Sequence, residues 1–171
     1  RKKRVANRIG DALIIVAMIL LYRELGSLEF VSIFSAAKAA AIEGLHNSSM
    51  GIVAVLFTFA ALVQSAQFPL HGWLLEVMET PTPVSALLHA GVINAGGFIL
   101  IRFSHVITLS PTAMTILIVV GALTALFGSL VMMTQTSIKV SLAYSTIAQM
   151  GFMILECGLE VFSAALLHIL A

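Results

Sequence analysis

The sequence predicts an all-α, polytopic transmembrane helix bundle containing a discontinuous helix. Three observations predict it. The 171 residues are 60% hydrophobic and 10% charged, where a soluble domain carries about 25% charge, and the mean hydropathy is +1.06. The apolar residues gather in six runs, several of them close to the roughly 20 residues that cross a hydrocarbon core. Between the second and third runs lies SAQFPLHGWLLEVMETPTPVSALLHAG (residues 65–91), with Pro69, Pro81 and Pro83, the acids Glu76 and Glu79, and the histidines His71 and His89. Lipid-exposed backbone must bond to itself, so irregular polar backbone at membrane depth is tolerated only inside protein or along a wet cavity. A broken helix beside ionisable groups is the pattern of an ion or proton route.

The first run, residues 5–22, follows a basic start and carries Arg8 and Asp11. Their i, i+3 spacing lets them pair with each other or with a neighbouring helix. The basic head and apolar stretch imitate a signal peptide, but no small-residue cleavage site follows. Residues 23–49 form a long connection of mixed charge, within which 31–45 reads equally as a short interfacial helix or a solvated loop. The second run, residues 50–63, extends to Phe68 before Pro69 ends it; it is short enough to finish as a half-helix. Gln64, with Ser65 and Gln67 beside it, could satisfy backbone freed by the break. Gln64 cannot titrate, so it can only orient water or backbone.

Glu76 and Glu79 stand one turn apart on residues 73–80, either solvated at the cytoplasmic surface or, if desolvated, a pair in which one carboxyl holds its proton more tightly, with Trp73 as an interface anchor. The third run, residues 84–103, starts at Pro83 in its first turn and carries His89. A histidine titrates near physiological pH and can pass protons; otherwise it is a neutral ring bonded to a carbonyl or hydroxyl. The fourth run, 113–133, follows Pro111. The fifth, 138–155, opens on Lys139, which can conduct or simply snorkel to the interface. Ser141, Ser145 and Gln149 repeat at i, i+4, i+8 along one face. That polar stripe either lines a water-filled half-channel or bonds to neighbouring helices. The sixth run, 161–171, is too short to span and contains His168. Gly91, Gly96 and Gly97, and Gly121 and Gly128 one heptad apart, suit close helix contacts.

Residues 1–4 and Arg8 place the N-terminus in the cytoplasm, and alternation then puts Lys139 on the same side, with Arg23, Lys38 and Arg102 outside. The single cysteine, Cys157, excludes a disulfide within the chain and reads as a small buried apolar residue. The chain starts without Met in a basic stretch and stops inside an apolar run. It is therefore read as one transmembrane domain, 1–171, cut from a longer subunit and interrupted at 64–83. No phosphate-binding loop, GxGxxG, CxxC cluster or HExxH occurs, so no catalytic residue, cofactor, metal site or nucleic-acid surface is expected. The expected partners are the lipid bilayer, other membrane subunits, and protons or sodium.

Four segments carry a resemblance. They are NRIGD (residues 7–11), SAQFPLHGWL (65–74), METPTPVSALLHAG (78–91) and IKVSLAYSTIAQMGFM (138–153). In that order and spacing the chain resembles the antiporter-like membrane subunits of respiratory complex I and of Mrp-type cation/proton antiporters, and among them the large distal subunit. The resemblance implies a fourteen-helix core of two inverted five-helix repeats, of which this chain covers the second half of the first and the start of the second. It implies that the break near Pro69 is the discontinuous helix, and that His89, Lys139 and His168 belong to a central proton line, with Arg8 and Asp11 as the NRIGD pair. One departure stands out. The pumping lysine of the family directly precedes SAQ; here that position is Gln64. Ser137 stands where an acid often precedes IK.

The stretch from HGWLLEVMETPTPVSALLHAG into VINAGGFILIRF (residues 92–103) looks more like the membrane subunit of DAB-type inorganic carbon uptake systems. In those, a complex I-like subunit couples ion flow to a peripheral zinc protein resembling carbonic anhydrase. Four functions follow as expectations: a proton- or cation-conducting subunit in a bacterial inner membrane that energises inorganic carbon uptake; a non-catalytic proton-pumping subunit of an NADH–quinone oxidoreductase; a sodium/proton antiporter subunit; or a structural scaffold that has lost its ion route.

Overall fold

The computed structural model describes residues 2–43, 49–77 and 91–170, and every regular element among them is helical. In chain order these are α1 (Lys2–Leu25), α2 (Phe30–Glu43), α3 (Ser49–Gln64), α4 (Gly72–Val77), α5 (Ala95–Arg102), α6 (Ser104–Ile107), α7 (Pro111–Thr134), α8 (Ile138–Gly158) and α9 (Phe162–Leu170). Helix α3 is the hub, packing on α1, α5, α6 and α7, while α7 and α8 form the most extensive pair.

Local chemistry sets the boundaries. The Ser110 hydroxyl accepts the Ala113 N–H at 3.3 Å and Pro111 takes the first position of α7, where its missing N–H costs nothing. Gly26, at φ +67°, closes α1 through its N–H to the Tyr22 carbonyl at 2.8 Å. Glu160, at φ +63°, closes α8 as Val161 donates to the Glu156 carbonyl at 3.0 Å, the 6→1 bond of a Schellman end.

Helices α7 and α8 meet backbone to backbone. A Cβ at Gly121 would fall 2.7 Å from the Leu155 nitrogen, one at Gly128 2.9 Å from the Ala148 nitrogen, and one at Gly151 2.5 Å from the Ala125 nitrogen. Small residues are what allow such an approach in lipid, where packing replaces the hydrophobic drive. Among the described residues nothing lies within 4 Å of the ideal Cβ of Gly91. Both helices are long and apolar enough to span, with a mean hydropathy of 2.5 over an 18-residue window within Pro111–Thr134 and of 1.3 over one within Ile138–Gly158. Their outer faces carry exposed Val119, Leu123, Leu126, Leu130, Leu142 and Phe152, surface that suits lipid and would be a liability in water.

Four expectations need correction or narrowing. Residues 30–43 are helical, which decides between helix and loop. Helix α3 stops at Gln64 instead of reaching Phe68, because Ala66 turns left-handed (φ +51°) and Gln67 donates back to the Leu62 carbonyl at 3.1 Å. The third run is not one regular helix: a π turn at 91–92 and a turn at 93–94 precede α5. Trp73 is buried, at 2% exposure, and is not an interface anchor. His89, Glu79, Pro81 and Pro83, singled out in the sequence, lie outside the described residues, and for Glu76 only its place in α4 is described.

A buried helix break and a polar face across it

The break is built by the end of α3 and the loop 65–71. At 16 residues and 1.5 Å per residue, α3 is about 24 Å long, short of the roughly 30 Å hydrocarbon core. Its last residue is anchored to α1. A Cβ at Gly10 would sit 3.1 Å from Gln64 Cγ, and the Gln64 Nε2 donates to Asp11 Oδ1 at 3.4 Å. Asp11 stands about 14 Å from the first residue of α1 at helical rise, so the end of α3 packs against the interior of that helix and not its tip. Arg8 does not pair with Asp11 among the described residues; the partner of Asp11 is Gln64.

On its other flank the break is held by α5 and α7. A Cβ at Gly96 would meet the Ala61 carbonyl oxygen at 2.5 Å, so α5 passes directly against the terminal turn of α3. Thr124, fully buried on α7, accepts the Phe68 N–H at 3.1 Å and donates to the Val120 carbonyl at 2.7 Å. One backbone donor freed by the break is thereby satisfied. Pro69 follows in an exposed turn, through a cis Phe68–Pro69 bond.

The side-chain polar atoms of the break are less well supplied. Gln64 Oε1, Ser65 Oγ, Gln67 Oε1, His71 Nδ1 and Trp73 Nε1 are all buried without a hydrogen-bond partner among the described residues. Buried polar groups are normally bonded to protein or ordered water, and each exception calls for an explanation. A run of them from the end of α3 to the start of α4 is the arrangement that water or a transported ion would satisfy. His71 sits in an aromatic box, its ring centroid 5.8 Å from Phe68, 5.0 Å from Phe127 and 6.2 Å from Tyr144. Tyr144 belongs to α8, so the box joins the break to the polar face of that helix.

Along α8 the sequence-predicted residues separate into two groups. Lys139 is exposed at the start of the helix and makes no ion pair or hydrogen bond among the described residues. Ser141 donates to the Met132 carbonyl at 3.4 Å, a bond across the α7–α8 turn, and Ser145 is half-buried. Gln149 instead meets α9: its Oε1 lies 2.9 Å from His168 Nε2, whose Nδ1 lies 3.3 Å from Glu156 Oε1. Sequence reasoning missed Glu156, although at i+7 from Gln149 it continues the same face. It also missed Thr124, whose role depends on a partner 56 positions away. Among the described residues no cluster of His, Cys, Asp or Glu could hold a metal ion.

A helical bundle with glycine-packed spans, and a helix that breaks among buried polar groups, has the architecture of an antiporter-like polytopic membrane subunit. The chain belongs to the NADH:quinone oxidoreductase/Mrp antiporter transmembrane family, matched over residues 2–171. It is 49% identical over 170 residues to the probable inorganic carbon transporter subunit DabB1 of Halothiobacillus neapolitanus, covering 98% of this chain and 30% of that protein. It is 39% identical over 171 residues to NADH-ubiquinone oxidoreductase chain 5 of Metridium senile, covering 99% and 28%. The fold matches a chain in the structure of the Mrp complex from Dietzia sp. DQ12-45-1b with a TM-score of 0.83 and 32% identity, covering 98% of this chain and 19% of that one. The chain thus spans under a third of the length of these relatives.

Proposed function

We propose that the chain is the central part of an ion-translocating membrane subunit that energises inorganic carbon uptake through proton or cation flow. The observation that carries this reading is the higher identity to an inorganic carbon transporter subunit, 49%, than to a complex I chain, 39%, over nearly the same residues. The buried polar atoms of the break supply a place for the ion or its water. In this reading His89, Lys139 and His168 carry the charge, Gln64, Ser141, Ser145 and Gln149 line its way, and the subunit lies in a bacterial inner membrane beside a peripheral zinc protein resembling carbonic anhydrase. Gln64 favours a second reading, a scaffold without ion flow, because an amide bonded to Asp11 cannot switch charge.

The test is uptake of labelled inorganic carbon by cells making the full-length protein with its genomic neighbours. The expected result is uptake that collapses when a protonophore or a sodium ionophore dissipates the coupling gradient. Uptake that persists after both gradients are removed favours the scaffold.

A further inference from the structure

We infer that Glu156 and His168 form a proton-holding pair, toward the opposite end of α8 from Lys139. The inference deepens the proposed ion route and rests on it. Its basis is the geometry of the imidazole. His168 Nε2 faces the Gln149 amide oxygen at 2.9 Å, and Nδ1 faces the Glu156 carboxyl at 3.3 Å. With the Gln149 amide assigned oxygen toward the ring, and an amide oxygen only accepting, Nε2 carries a hydrogen. A neutral ring then presents a bare lone pair at Nδ1. Opposite it stands a carboxylate oxygen, which is also only an acceptor. Two acceptors face each other unless a proton lies between them.

That proton resides on one partner or the other. On Glu156 the carboxyl O–H donates to Nδ1 and both groups are neutral. When it crosses, the O–H bond breaks, an Nδ1–H bond forms, and the pair becomes carboxylate and imidazolium with the net charge unchanged. Gln149 acts as a positioning residue, since it fixes which nitrogen is permanently protonated and leaves Nδ1 as the exchanging atom. The second carboxyl oxygen, Glu156 Oε2, is buried with no hydrogen-bond partner among the described residues. It offers an entry for a proton from water or from a neighbouring group, while Oε1 hands on to the histidine.

Among the described residues, the ionisable groups on the elements around the pair are few. Helix α7 has no ionisable side chain. On α5 the one cation, Arg102, stacks 4.3 Å over the Phe30 ring. On α8 itself Lys139 is at the opposite end, Tyr144 is in the box around His71, and Cys157 is buried. Glu160 caps the helix in an exposed turn, and on α4 the ionisable side chain is Glu76. The side chains of His168 and Glu156 are 22% and 29% exposed, on the flank of α8 that α9 covers.

The test compares Glu156→Gln with Glu156→Ala in the full-length protein, reading proton flux into proteoliposomes and the midpoint of unfolding. Glutamine keeps the shape, and its N–H donates to Nδ1, but it cannot pass a proton. The expected result for E156Q is an unchanged midpoint with flux reduced by about tenfold or more. A merely structural hydrogen bond predicts wild-type flux in E156Q and a loss only in E156A, and that outcome overturns the inference. If E156Q does not fold, Glu156→Asp against Glu156→Asn repeats the comparison one methylene shorter, with flux expected only in the acid. A wild-type protein with no flux at all sinks the proposed ion route, whereas an active wild type matched by E156Q sinks only the pair.

Discussion

Thr124→Val tests whether α7 pins the helix break. The threonine hydroxyl is fully buried and is the acceptor for the Phe68 N–H, at 3.1 Å. Valine has nearly the same shape and no hydroxyl, so packing is conserved while the acceptor is lost. The Val120 carbonyl, which receives the hydroxyl proton at 2.7 Å, lies inside α7 and keeps its helical partner. The cost is therefore that of an unsatisfied backbone donor, about 1–3 kcal/mol, which changes the unfolding equilibrium by about 5- to 150-fold. The assay is unfolding of the full-length protein in mixed micelles by a denaturing detergent, with Thr124→Ser as the control that restores the hydroxyl. The expected order is wild type near T124S, both above T124V. A T124V protein as stable as wild type, or a T124S protein as weak as T124V, refutes the reasoning.

Gly121→Val puts a side chain where even a Cβ meets the Leu155 nitrogen at 2.7 Å; overpacking of this kind costs about 1–3 kcal/mol, read in the same unfolding titration, whereas Gly91→Ala is expected to cost much less. Gln64→Lys sets an ammonium beside Asp11, in place of an amide that now reaches Oδ1 at 3.4 Å. Proton flux in proteoliposomes is expected to rise if the channel persists and lacks only its cation, and unchanged flux would remove the break from the route. Asp11→Asn takes the carboxylate from the same contact and is expected to abolish the gain in the double variant with Gln64→Lys.

The long spans were legible because their ends are punctuated. Pro111 and Ser110 mark the start of α7 and the polar stretch 134–137 its end, so the run 113–133 matches Pro111–Thr134. The end of α3 was not legible, because its closing residue is Ala66. Alanine at positive φ gives no signal, where glycine would have marked the turn, and Pro69 drew the boundary forward. The irregular turn at 91–94 lies in an apolar stretch without proline and was equally hidden. For the site, the serine and glutamine stripe on α8 followed from spacing alone. Its partners did not, because His168 reaches Gln149 and Glu156 only once the turn after α8 folds α9 back against it. Likewise the sequence allowed Asp11 to pair with Arg8 or with a neighbouring helix, and only tertiary packing selects Gln64 of α3.

The central claim is that charge crosses the membrane by way of the broken helix and the polar face of α8. Its most direct test is internal pH in proteoliposomes holding the full-length protein under an imposed membrane potential, for the wild type and for His89→Ala with Lys139→Ala. The account predicts acidification by the wild type and a rate near that of empty vesicles for the double variant at equal incorporation. Equal rates for wild type and double variant would contradict it.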